Sequence, residues 1–325
     1  MTESTKITKI RVAMVGAGAM ANSVHYPSLA SFGDVEFAGI CDSDAERRTA
    51  TAERYRIEKR YDDYRRMIEE TAPDAVYVIG QPHLMYDLWV WCLQQKLSLC
   101  IEKPMGITLH QARMLAHLAE SNGCITQVSF QRRTAPMVAH LYGECRKRGP
   151  ILHAVCEFYK RGPEPMLGAR DRMMDDGVHA IDTLRWLCGG EIVGIDAVTR
   201  AVGTPDINLI LALLRFDNGA TGVLLNSWTS GRRVFRVQMH APGICAEAEH
   251  EEKGALFADG DTKGQWFDTR EFAGSDQLFV YGGFQAKNRE FIDAVRNRTL
   301  PPSHFGDAVK TMEAAERILA SGWLS

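Results

Sequence analysis

Six consecutive residues, Gly16-Ala17-Gly18-Ala19-Met20-Ala21, constrain this chain more than any others. They follow an apolar run at 9–15 that reads as a buried strand, and they precede a helical pattern ending near Gly33. In a G-x-G-x-x-A run so placed, Gly16 permits a tight turn and Gly18 lets backbone approach a pyrophosphate with no Cβ in the way. Ala21 lets the helix lie close to the sheet. The first N–H groups of the helix, around Ala19 and Met20, then face phosphate oxygens. An ordinary strand–helix turn is the competing reading; the strand before and the helix after favour a dinucleotide site.

The first 130 residues continue the same alternation. Strands are expected at 35–41, 75–79, 97–101 and 125–130, with helices at 62–70, 84–94 and 108–122 between them. Ser43 and Glu46 form a capping box that opens a further helix through about Tyr55; Thr108 and Gln111 form another, and Gly123 stands at a helix stop. Nearly all-apolar strands alternating with helices specify a parallel sheet covered on both faces. The pattern changes after Gly149-Pro150. A longer strand is expected at 151–159, and Val178, Ile181, Leu184 and Leu187 mark a helix stopped by Gly189-Gly190. Strands at 210–216 and 220–227 flank Asp217-Asn218-Gly219, and strands at 235–240 and 244–250 flank Pro242-Gly243, which are hairpin signals. A last helix at about 311–321 is expected to pack back on one domain. The fold class is therefore α/β: a doubly wound Rossmann domain over 1–131, then an α+β domain over 132–325 with a mainly antiparallel open sheet.

Composition narrows the function classes. A length of 325 residues, 45% hydrophobic and 24% charged, suits two globular domains. The net charge of −3 is spread over mixed signs, so nucleic acid is not an expected partner. No apolar run approaches the roughly 20 residues of a membrane span, and residues 1–9 are polar and lack a signal core, so cytoplasm is the expected compartment. The eight cysteines form no C-x-x-C pair and the ten histidines no H-E-x-x-H, so no metal is expected.

Three further clusters carry chemistry. Asp42 closes the second strand, where a carboxylate accepts bonds from an adenosine ribose and repels a 2′-phosphate; this favours NAD, while Arg47 and Arg48 nearby soften the discrimination and leave NADP open. Glu102-Lys103-Pro104 ends the strand at 97–101, on the edge where ligands of such sheets bind, and Lys103 there reaches a nicotinamide edge and a substrate hydroxyl. Beside a cationic ring and partly desolvated, its pKa is expected to fall, which suits a proton shuttle. Taken alone, such a lysine reads as a solvated surface residue. Asp175 and His179, four residues apart at a helix start, share a face, so the carboxylate fixes the imidazole tautomer; the alternative is a capping aspartate and a core histidine.

Together these residues resemble the glucose–fructose oxidoreductase / inositol dehydrogenase / rhizopine-catabolism (Gfo/Idh/MocA) family over nearly the whole chain. Gly16–Ala21 followed by His25-Tyr-Pro27-Ser-Leu29 is similar to its opening, Glu102-Lys103-Pro104 to its most specific signature, residues 127–133 to its strand with an amide and paired arginines, and Asp175-x-Gly177-x-His179-x-x-Asp182 to its second-domain motif. The resemblance implies that Lys103 and His179 bracket the reacting carbon with Asp175 in support. It also implies that Glu102, Gln131 and the Gln81-Pro82-His83 loop line the cofactor. The implied activity is hydride transfer between NAD(P) and a secondary alcohol or carbonyl of a sugar, polyol or sugar acid. Two other uses of the fold stay open, a redox-neutral glycosidase or lyase with trapped NAD and a non-catalytic sensor.

The chain departs from the pattern at Tyr86, and at Gly168-Ala-Arg170-Asp-Arg172-Met-Met, which stands where a glycine-rich stretch is common. Arg132, Tyr159, Arg161 and Arg172 are candidate substrate contacts, with Lys160 beside them. Arginines at 161, 170 and 172 admit an anionic substrate such as a uronate, or a solvated loop with no such role. An open antiparallel sheet needs cover, so a homodimer or homotetramer is expected.

Overall fold

The computed structural model of the chain describes residues 8–162, 164 and 171–323. Six short strands, β1 (Ile10–Val15), β2 (Val35–Cys41), β3 (Arg60–Tyr61), β4 (Ala75–Val78), β5 (Leu99–Ile101) and β6 (Thr126–Val128), pair in parallel in the order β3-β2-β1-β4-β5-β6. Both faces of β1, β4 and β5 are buried, which is why their sequences are apolar without alternation. The chain reverses direction across the sheet between β1 and β4, so the crevice beyond their carboxyl ends is where such a sheet takes a ligand.

Eight strands make the second sheet: β7 (His153–Arg161), β8 (Ile192–Arg200), β9 (Leu209–Phe216), β10 (Thr221–Ser227), β11 (Thr229–Ala241), β12 (Ile244–Glu249), β13 (Lys253–Ala258) and β14 (Gln265–Asp268), in the order β14-β13-β12-β11-β7-β10-β9-β8. All neighbours run antiparallel except β7 and β10, which are parallel. One face packs on the helix Val178–Cys188; the other leaves Val198, Leu211 and Leu213 more than a third exposed. The two hairpins stand where their turn residues indicate, whereas β8, β13 and β14 carry no turn or alternation signal strong enough to announce them. Among the described residues, no helix is long and apolar enough to cross a membrane.

Several local expectations shift. The helix after β2 is capped by Asp44, whose carboxylate accepts the Arg47 N–H at 3.0 Å, and not by Ser43; the helix Ala45–Tyr55 begins one residue later than the capping box implies. Thr108 does cap its helix by accepting from Gln111 N, but Gln111 Oε1 reaches back to Ile107 N, one residue beyond the cap. The last helix spans Phe305–Trp323 and packs on both β8 and the helix Leu109–Ser121, so it bridges the two sheets rather than joining one. The helix Phe284–Asn297 lies against the helical turn that follows Gly18.

Candidate active site

The glycine turn has the geometry a pyrophosphate needs. Gly16 has φ +103°, and a β-carbon there would stand 2.0 Å from the carbonyl oxygen of Ile79, the residue just after β4, so no side chain fits. At Gly18, by contrast, a β-carbon would meet nothing within 4 Å: the space over the turn is open for a ligand. Ala19 and Met20 are exposed in the first helical turn, and Ala21 is fully buried against the sheet. Asn22 braces the turn by donating to the Ala17 carbonyl at 2.8 Å, a role no motif announces.

Asp42 stands beside that turn. One carboxylate oxygen accepts the Ala17 N–H at 2.7 Å, and the other accepts the Asp44 N–H at 2.8 Å and meets Arg47 Nη2 at 3.4 Å. The carboxylate is thus fixed by the backbone of the turn it would serve. Arg47 is half exposed and pairs with Asp44 as well, leaving its guanidinium at the rim. Across β1, the Gln81-Pro82-His83 segment begins the helix Pro82–Gln94, with Gln81 and His83 exposed at its mouth and Pro82 buried. An open cradle over Gly18 with an anchored ribose acceptor beside it fits a dinucleotide.

At the end of β5, Glu102 and Lys103 point opposite ways. Glu102 bonds His25 Nε2 at 2.8 Å with one oxygen and accepts the Lys103 N–H at 3.2 Å with the other; His25 Nδ1 lies 3.3 Å from Asn288 Oδ1. His25 is fully buried and comes from the glycine-turn helix, so this pair ties the turn to the strand end that carries Lys103. Sequence spacing of 77 and 263 residues hides both contacts.

Lys103 Nζ crosses to the second sheet, donating to the Asp175 carbonyl at 2.8 Å and approaching Asp176 Oδ1 at 3.3 Å and Asp175 Oδ1 at 3.7 Å. Asp176 also takes Lys160 Nζ from β7. Burial alone pushes the Lys103 ammonium down, but Asp176, Asp175 and Glu102 outweigh it and raise the pKa. This reverses the fall expected from desolvation, because the carboxylates concentrate at the lysine's tip. Asp176 is likewise raised by burial but driven well below the usual carboxylate range by Lys103 and Lys160, whereas burial prevails at Asp175 and raises it.

The expected bond from Asp175 to His179 is not formed. Residues Met173–Gly177 make a π-helical turn before the helix Val178–Cys188, and this wider turn carries the Asp175 carboxylate to Lys103 instead. His179 Nδ1 is buried with no hydrogen-bond partner. Burial first, then Arg132 and Lys103, hold the ring well below its ordinary pKa, so it is neutral. Asn226 on β10 is fully buried with neither amide atom bonded, and its Nδ2 lies 3.1 Å from where a β-carbon on Gly177 would stand. Orphaned polar atoms of this kind are costly in a dry core and normal in a site awaiting a polar ligand.

The remaining candidates divide. Gln131 is buried with Oε1 unbonded, and Arg132 is buried with its guanidinium 3.6 Å from the Phe235 ring centroid. Lys160 lies with Phe158 on the inner face of β7, since its ammonium is 5.0 Å from that ring. Strand alternation then places Tyr159 and Arg161 on the opposite face, away from Lys103, where Arg161 is exposed. Arg172 is buried under Trp228, bonded to the Glu164 carbonyl and 3.6 Å from Asp206. Arg170 lies outside the described residues.

Comparison with known proteins finds matches in both parts of the chain. Residues 10–130 match the model of the oxidoreductase family with an NAD-binding Rossmann fold, and residues 147–241 match the GFO/IDH/MocA C-terminal domain. The rhizopine catabolism protein MocA of Rhizobium meliloti is 28% identical over 323 residues, covering 95% of this chain and 94% of its own. The scyllo-inositol 2-dehydrogenase (NAD(+)) of Bacillus subtilis is 23% identical over 237 residues, 68% of each chain. The crystal structure of a dehydrogenase from Chromobacterium violaceum superposes with a TM-score of 0.88 at 20% identity, covering 98% of this chain and 96% of that one. The glycine cradle, the anchored Asp42 and the two matched domains make this chain a member of the Gfo/Idh/MocA family of NAD-binding oxidoreductases.

Proposed function

We propose that this chain is a dehydrogenase for a secondary alcohol of a sugar or polyol, with Lys103 moving the hydroxyl proton and His179 holding the substrate oxygen. The observation that carries the reading is Lys103 Nζ, drawn from the end of β5 onto the Asp175 carbonyl and Asp176, where the two sheets meet. When bound, NAD supplies the hydride acceptor. Lys103 takes the proton that the hydroxyl sheds, Asp176, itself fixed by Lys160, holds that ammonium in place, and Glu102 is kept from competing by His25. His179, neutral and with Nδ1 unbonded, offers a ring nitrogen to the substrate oxygen. The inositol dehydrogenase among the relatives acts on a polyol, which supports that substrate class. The exposed Leu211 and Leu213 suit cover by a second copy of the chain.

The test is a spectroscopic screen of polyols and aldoses with NAD: stoichiometric NADH formation with at least one of them is expected. Cleavage of a glycoside without net NADH would replace this reading with redox-neutral chemistry. The cofactor side has its own check. Asp42→Ser removes the ribose acceptor, so KM for NAD should rise about tenfold or more, in line with a charge-assisted hydrogen bond, and the preference over NADP should narrow. An unchanged ratio of kcat/KM for the two cofactors would show that Asp42 serves only the turn.

A further inference from the structure

Arg132 is a buried cation with no anion of its own. It is 6% exposed, and its side chain makes no hydrogen bond or ion pair with the described residues. Its guanidinium stacks on Phe235 and lies 5.5 Å from the Phe158 centroid. The carboxylates near enough to be felt are already taken: Glu251 pairs with Arg233 at 2.9 Å, and Asp176 is shared by Lys103 and Lys160. Among the residues outside the description between 162 and 171 there is no aspartate or glutamate. Desolvation, reinforced by Arg233, pushes the arginine down to about 10, so it stays charged at neutral pH. A desolvated charge left unpaired is among the costliest features a fold can keep.

The groups around Arg132 belong to the active site. Phe158 lies beneath both Arg132 and the Lys160 ammonium, and Asn226 is its register partner on β10, so Asn226 shares the face. Arg132 is also the nearest cation in effect on His179. An unpaired guanidinium and an unbonded amide thus gather beside the ring that would hold the substrate oxygen.

We propose that Arg132 receives a carboxylate of the substrate, so that this enzyme takes sugar acids in preference to neutral sugars. A carboxylate is planar and accepts only, and two of its oxygens match the guanidinium fork, while the Asn226 amide donates to what remains. One unpaired cation calls for a monoanion, and the carboxylates of Asp175 and Asp176 nearby disfavour a phosphate dianion. The proposal rests on the alcohol-oxidising reading given above.

The test compares kcat/KM with NAD for matched pairs, glucose with glucuronate and galactose with galacturonate, with glucose 6-phosphate as a third arm. Glucuronate and galacturonate binding to the NAD-loaded protein is measured by calorimetry. The acids should exceed their neutral partners by about ten- to a hundredfold, as a charge-assisted bidentate contact allows. In Arg132→Met the acid-to-neutral ratio should collapse toward one, with Arg132→Lys intermediate. Neutral sugars turned over as well as acids by the wild-type protein would overturn the proposal, a result that depends on no variant folding. So would a phosphate ester preferred to both acids, or an acid preference that survives in Arg132→Met. Acids that bind by calorimetry but never yield NADH would instead sink the dehydrogenase reading and leave the carboxylate site standing.

Discussion

Lys103→Met is expected to lower kcat for alcohol oxidation by about a thousandfold, within the 10²–10⁴ that a positioned acid–base group contributes. NAD affinity should change by no more than a few fold, because the glycine turn and Asp42 belong to β1 and β2, away from the lysine's tip. Methionine fills most of the same space, so the loss should come from the missing proton acceptor. The raised pKa gives the pH dependence its sign. In the chain without cofactor, Asp176, Asp175 and Glu102 keep Lys103 protonated at neutral pH. Oxidation needs the free amine and reduction needs the ammonium. The rate of oxidation should therefore climb about tenfold per pH unit below that pKa, and the reverse rate should fall as pH rises through it. Folding stability runs opposite to the oxidation rate: the contribution of the raised lysine pKa is fully present below its unfolded value and is lost as pH climbs through the folded one. Steady-state kinetics across pH in both directions, with NAD binding followed by quenching of the protein's tryptophan fluorescence, make the measurement. Turnover in Lys103→Met within tenfold of wild type, or a flat pH profile for oxidation, would remove Lys103 from the chemistry.

What was legible from sequence follows from the range over which each constraint acts. Gly16 is readable because a positive φ and a 2.0 Å approach to the Ile79 carbonyl are demands that one residue type meets. The strands of the first sheet are readable because burial on both faces writes itself as an apolar run. The position of Lys103 just past a strand end is legible in the sequence, but its environment is not, since Asp175 and Asp176 come from 72 and 73 residues away. His25 with Glu102, and the unpaired state of Arg132, are long-range facts of the same kind. The Asp175–His179 pairing failed for a local reason: four residues share a face only in an α-helix, and the chain makes a π turn there. Tyr159 and Arg161 could have been separated from Lys160 by strand parity alone.

Asp182→Asn is expected to destabilise the fold by about 3–5 kcal/mol, the range for breaking a buried ion pair by removing one partner. The resemblance sets Asp182 in the same motif as Asp175 and His179, yet its carboxylate looks away from Lys103. It accepts Arg133 Nε at 2.7 Å and faces Thr311 Oγ1 at 3.3 Å. Arg133 continues to Asp307 at 2.8 Å, and Asp307 to Arg185 at 2.9 Å. Three elements meet here: the turn at Gln131–Thr134 that follows β6, the helix Val178–Cys188, and the first two turns of the helix Phe305–Trp323. Asp182 is 1% exposed and Arg133 8%, so water cannot replace the lost charge. Burial opposes ionisation of Asp307, but Arg133 and Arg185 outweigh it and hold its pKa down, so the stability Asp307 lends the network is present above its unfolded pKa and is lost as pH falls through the folded one. Asparagine keeps the shape and removes the charge, leaving Arg133 with the half-open Asp307 alone. Equilibrium unfolding in urea reads the loss, and kcat of the folded fraction should stay within a few fold of wild type. A loss under 1 kcal/mol would show that Asp307 suffices for Arg133. A fall in kcat comparable to that of Lys103→Met, with stability intact, would return Asp182 to the reacting centre.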